Sequence, residues 1–170
     1  LSLRVGTTDE GNGADKQTTR KAYDLLAKGY GPGFNGPIYT VVDMRNANSP
    51  TALLEIVETL EKTDNVVQVA PSSQQLVSPA FLKDQNLDQK VIPLQVILGT
   101  SPQSIDTDKT IEKLRKEVLP IVEDKTNTEV LLTGMTAGNM DFASLMASRT
   151  PYFIGAVLIL SFLLLMSVFR

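Results

Sequence analysis

The sequence predicts an α+β domain followed by one membrane-spanning helix. Three observations carry this. Two strand–helix–strand patterns follow one another between residues 37 and 133, the final twenty residues before Arg170 are without charge, and the charged residues crowd into everything before them. The 149 residues before Thr150 hold all 19 acidic residues and 15 of the 16 basic ones. A chain of 170 residues with 42% hydrophobic content is long enough to bury one core and too apolar to be disordered.

Each element follows from local pattern. Gly6 to Gly13 is rich in Gly, Asp, Thr and Asn and reads as loop. A helix follows near Lys16 to Lys28, with Ala22, Leu25 and Leu26 on one face. It stops at Gly29-Tyr-Gly-Pro-Gly-Phe-Asn-Gly-Pro37, a run of helix-ending and turn-making residues. Ile38 to Met44 is β-branched and aromatic enough for a strand. A helix to about Thr63 should start at Asn48-Ser-Pro50, with Ser49 as N-cap and Pro50 at its first position. Leu53, Ile56, Val57 and Leu60 form its apolar stripe. Asp64-Asn65 turns the chain into a second strand, Val66 to Ala70, and residues 71 to 89 are irregular.

The pattern then repeats. Val91 to Leu98 reads as a third strand, with Pro93 pointing to an edge or early position. Asp106 or Thr107 should cap a helix whose Ile111, Leu114, Val118 and Ile121 share one face, and Pro120 should kink or end it. Glu129 to Thr133 is the fourth strand. Strand, helix, strand, twice over, is the split βαβ arrangement of ferredoxin-like domains, two layers with both helices on one face of a four-stranded sheet. Residues 1–36 then form an N-terminal loop and helix, 37–133 the ferredoxin-like subdomain, 134–150 a connector helix and 151–170 the membrane helix.

Twenty residues from Thr150 to Phe169, at ~1.5 Å each, span about 30 Å, the hydrocarbon thickness of a bilayer. Pro151 suits the first turn of a helix, and Tyr152 suits headgroup level. Arg149 and Arg170 bracket the span and can snorkel, one at each end, so they set no orientation. A start at Leu1 rather than Met, and an end one residue past the span, predict a segment of a longer polytopic protein.

Absent residues narrow the chemistry. With no His and no Cys, the commonest general base, thiol chemistry and the usual zinc ligands are excluded within this chain, as is a serine triad. A pI near 5.0 and no Trp make a nucleic-acid partner unexpected. Gly31-Pro-Gly-Phe-Asn-Gly36 spells G-x-G-x-x-G, but a helix precedes it and a strand follows, the reverse of a dinucleotide site. Asp106 with Asp108, and Glu123 with Asp124, read as solvated helix ends rather than acid–base pairs. No catalytic, cofactor or metal residue is therefore assigned. Asp141 and Arg149, with Met140, Leu145 and Met146 among the residues around and between them, mark the approach to the membrane. Gly134 and Gly138 read as a hinge there, and Arg149, Pro151 and Tyr152 as the membrane entry.

Thr19-Arg-Lys-Ala-Tyr-Asp-Leu-Leu26, Gly29 to Pro37, and Leu132-Thr-Gly-Met-Thr-Ala-Gly-Asn-Met-Asp-Phe142 together resemble the MMPL family, exporters of the resistance–nodulation–division superfamily. The resemblance covers essentially the whole chain. It implies twelve membrane helices in two halves, each half with an extracytoplasmic loop bearing a ferredoxin-like porter subdomain. This chain looks like the second loop and the helix after it, in the cell membrane with residues 1–149 outside the cytoplasm. The resemblance further implies export of lipids or other hydrophobic compounds driven by proton flux, with Asp–Tyr relays in helices outside this stretch. Its partners would be the remainder of the transporter, membrane lipid and an amphiphilic cargo. Two rivals stand beside it: a membrane-tethered ligand-binding sensor domain, and a membrane-anchored hydrolase, against which the missing His and Cys argue.

Overall fold

The computed structural model describes residues 9–78 and 91–169. In chain order these form α1 (Thr18–Tyr30), β1 (Ile38–Asp43), α2 (Ala52–Glu61), β2 (Val66–Ala70), the single turn α3 (Ser73–Leu76) and β3 (Val91–Leu98). After them come α4 (Ile105–Lys113), a π turn (Leu114–Val118), α5 (Leu119–Thr126), β4 (Glu129–Thr133) and α6 (Met135–Val168). The sheet order is β2-β3-β1-β4 and every neighbouring pair is antiparallel. This is the ferredoxin-like arrangement, with the chain continuing into a long apolar helix.

Alternation along the strands decides which face is covered. Ile38, Thr40 and Val42 of β1 are fully buried, as are Leu94 and Val96 of β3, whereas Tyr39 and Leu131 stand on the other, open face. Ile56, Val57 and Leu60 of α2 meet the covered face with no exposed surface, as the stripe predicts. Leu53 sits at the rim, only half-buried, and Ala52 takes the inward place instead. The helix opens later than the sequence suggests. Ser49 Oγ accepts a hydrogen bond from Thr51 N at 3.1 Å, so Ser49-Pro50-Thr51 is a turn leading into α2, and Thr51 holds the cap position without a side-chain bond.

The second helical segment corrects the sequence reading in an instructive way. Ile111 and Leu114 are fully buried, but Ile121 is 70% exposed and Leu119 and Val122 lie in the core. The cause is the π turn, in which Leu119 N bonds to Leu114 O, five residues back rather than four. One extra residue in that turn rotates everything after it by about 100° relative to a continuous α-helix. Pro120, expected to kink or end the helix, instead stands just beyond the π turn, and the helix runs on to Thr126. The cap is also displaced: Ser104 Oγ accepts from Asp106 N at 3.2 Å, leaving Asp106 and Asp108 in the first turn.

Pro93 pairs opposite Val41, in the part of β3 that extends past the end of β2, so among the described residues that side of the strand has no partner strand. The N-terminal helix forms where the sequence places it but lies apart from the core. α1 has no buried residue, and Leu25 and Leu26 are 70% and 39% exposed, so its apolar stripe is not part of the core. Residues 79–90, most of the irregular stretch, lie outside the described residues, as does Arg170.

Two substitutions test this packing by denaturant titration. Leu114→Ala should cost ~2–5 kcal/mol because its side chain is wholly enclosed, and Leu53→Ala at the rim roughly 1 kcal/mol. Thr40 Oγ1 is buried with no hydrogen-bond partner among the described residues. Thr40→Val removes that unpaired hydroxyl at equal volume and should raise stability by up to ~1–3 kcal/mol; a loss of stability would show that the hydroxyl has a partner.

Candidate functional site: the junction of domain and membrane helix

The chain passes from β4 to α6 through one residue. Gly134 has φ 121° and ψ 165°, a conformation open to glycine and strained for any other residue. Space is tight as well: a Cβ there would stand 3.1 Å from Pro37 O and 3.2 Å from Ile38 Cα. Gly138 differs. It lies in the first turn of α6, its N–H donates to Gly134 O at 2.8 Å, and a Cβ would meet nothing within 4 Å. The two glycines singled out as a hinge are thus a conformationally fixed turn and an ordinary helical position, and the Met135 to Ala137 stretch between them is helix.

The first two turns of α6 belong to the domain. Ala137 is fully buried, Thr136 nearly so, and Met140 packs against the core. Arg115, in the π turn, then closes the joint. Its Nη1 donates to Asp141 Oδ1 at 2.5 Å, its Nη2 to Asp141 Oδ2 at 2.9 Å and also to Leu132 O at 3.4 Å. This two-pronged pairing fixes orientation as well as distance. The side chains are 30% and 60% exposed, so solvent screens the pair and its worth is geometric more than energetic. Asp141 stood out in the sequence as a charge near the membrane, but its pairing with Arg115 did not, because 26 positions separate them.

Beyond Asp141 the helix stands free. Met135 to Val168 is continuous, so the expected connector and membrane helices are one element of about 51 Å. Pro151 is inside it rather than in a first turn. Pro151 brings no N–H to the carbonyl one turn earlier, and two hydroxyls add to this: Ser148 Oγ donates to Leu145 O at 2.8 Å and Thr150 Oγ1 to Met146 O at 2.7 Å. The missing N–H at Pro151 and the two hydroxyl bonds to backbone carbonyls favour bending of the helix at residues 145–151. Arg149 and Tyr152, three residues apart, share a helix face and are exposed together with Pro151. From Met135 to Val168 the helix is long and apolar enough to cross a bilayer, and its most apolar window has a mean hydropathy of 2.3 with none of it buried.

The other sequence candidates are structural. Gly31 to Gly36 is a turn containing one short 3₁₀ helix, and Gly33 presses its backbone against the Leu98 carbonyl. Asp106 pairs with Lys109 at 3.0 Å, and Glu123 Oε1 accepts from Val130 N at 2.6 Å, tying α5 to β4. Among the described residues no group of three or more carboxylates could hold a metal ion. Sequence reading also missed the latch that holds α1. Asp9 accepts from Tyr23 Oη at 3.3 Å and from Gln103 Nε2 at 2.5 Å, while Arg20 Nη1 donates to Gly11 O at 2.5 Å. Burial first, and then the Asp9 carboxylate beside it, push the Tyr23 hydroxyl up to about 12, so it remains a donor at any ordinary pH.

The two glycines should respond oppositely. Gly134→Ala should destabilise the domain by ~1–3 kcal/mol, and Gly138→Ala should be neutral or stabilising by up to ~1 kcal/mol, as read from melting curves of the single variants. Equal losses from both would restore the paired hinge.

No family model matches the chain. It is similar to Membrane protein YdfJ of Bacillus subtilis strain 168, 30% identical over 172 residues that take in the whole chain. The chain spans 22% of that protein's length. The likeness and the exposed apolar helix agree that this is a membrane-associated chain.

Proposed function

We propose that the chain is an extracytoplasmic porter-type domain, with its adjoining membrane helix, from a proton-driven exporter of MMPL type that moves lipids or other hydrophobic compounds. Its task is mechanical rather than catalytic. The observation that carries the reading is the shared joint: the first turns of the membrane helix are part of the domain's core and are held by Arg115 to Asp141. A domain seated this way tilts with its helix, and such tilting against partner domains opens and closes a cleft for an amphiphile. The glycine motifs and the fold support the family, and the Bacillus relative supports membrane residence. The rest of the transporter and the cargo are partners in this proposal.

The test uses the full-length protein containing this chain, reconstituted in liposomes with an imposed pH gradient. A fluorescent phospholipid and a lipophilic dye serve as cargo probes. Gradient-dependent movement should be lost or sharply reduced in Arg115→Asp and in Asp141→Arg, and regained in part when both are combined, with insertion unchanged. Movement of neither probe by the unaltered protein would favour the tethered sensor domain instead.

A further inference from the structure

α1 is built back to front for a soluble domain. Its inward side is formed by Arg20, Tyr23 and Ala27, at helical spacing and half-buried, and is held by polar bonds to Asp9, Gly11 and Asn35. Ala22, Leu25, Leu26 and Gly29, at i, i+3, i+4 and i+7, share the opposite side and are all exposed. Tyr30 extends this surface at 72% exposure, braced by stacking on Phe34 with ring centres 4.9 Å apart. An apolar stripe facing outward is a contact surface without its partner.

Charge identifies the partner. The chain is acidic overall, with 19 acidic against 16 basic residues. Yet Lys21 and Lys28 flank Leu25 on the helix surface, four residues before and three after it, and Lys16 precedes the helix. Among the described residues none of these three lysines has an ion pair, whereas Arg20 and Asp24 neutralise each other at 2.9 Å. Leucines and a tyrosine bordered by unpaired lysines are the pattern of a helix lying in the interface of an anionic bilayer. Position agrees. The turn after α1 reaches the end of the sheet where α6 begins: a Cβ on Gly36 would lie 2.9 Å from Thr136 Oγ1, and Gly134 abuts Pro37.

We infer that α1 is a second membrane contact of this domain, its Leu25, Leu26 and Tyr30 seated among lipid headgroups and Lys21 and Lys28 meeting lipid phosphates. This rests on the membrane reading of α6 but not on the exporter reading.

The chain has no cysteine, so a single one reports on a single place. The full chain is placed in nanodiscs of phosphatidylcholine alone or mixed equally with phosphatidylglycerol, and bimane on Leu25→Cys is read for acrylamide quenching. Bimane on Ala22→Cys, on the same face, is the second reporter, and on Val157→Cys it reports whether α6 itself is in lipid. Protection at positions 22 and 25 should be present with the anionic lipid, weak without it, and lost in high salt. Lys21→Glu and Lys28→Glu should each reduce the protected fraction's equilibrium constant by at least roughly fivefold. Full quenching at 22 and 25 in the anionic discs, with Val157 protected, would overturn the inference alone. Protection that is equal in both lipids, or that rises with protein concentration, would overturn it in favour of a protein partner. Quenching at position 157 would instead overturn the membrane reading of α6 and this inference with it.

Discussion

One helix has to satisfy two solvents, and the rest of the architecture is arranged around that demand. α6 begins among buried side chains of a water-soluble domain and ends in a stretch with no buried residue and no charge before Arg170. The same element cannot be apolar all round near the domain, where carbonyls and charges are close, nor charged along the span. The chain resolves this by position. Its last acidic residue, Asp141, sits where the domain ends and is used there as a clamp. After it, the only charge before the terminus is Arg149, whose long side chain can reach water from the edge of a bilayer.

The clamp in turn depends on the irregular turn in the helical layer. Arg115 is its second residue, one position after the fully buried Leu114. The same distortion that rotates Leu119 and Val122 into the core thus occurs at the point where the domain grips its membrane helix. A local departure from regular hydrogen bonding and a long-range contact are part of one device. π turns of this kind recur at functional sites in other helices, where one inserted residue re-aims a side chain.

Much of the fold was legible beforehand because hydrophobic period is a strong signal where an element buries one face only. The strands, the α2 stripe and the βαβ repeat all follow from it. The sequence reading failed where physics is not periodic. A single inserted residue leaves the spacing of Ile111, Leu114, Val118 and Ile121 looking perfect while the backbone shifts phase between the second and fourth of them. The α1 stripe is a true amphipathic pattern, yet pattern alone does not say which side faces the domain; the polar latch through Tyr23 and Arg20 decides that. At the junction, two glycines were visible but not their difference, since the positive φ at Gly134 and the close approach of Pro37 and Ile38 separate a required glycine from a permitted one. The pairing of residues 115 and 141 joins different elements and leaves no local trace.

The open face of the sheet carries a consequence of its own. Tyr39, Pro93 and Leu131 are exposed on the face turned away from the helical layer of the described residues, with Leu131 on the outermost strand. A sheet clothed on one side has its bending stiffness set by backbone bonds and a single layer of side chains, so it twists more easily than a sheet sandwiched between two layers. Torque delivered at the Gly134 end can therefore be absorbed as a change in twist along β4 and β1, with the helical layer moving as a unit. In mechanical terms the domain is a leaf spring with its clamp at one end.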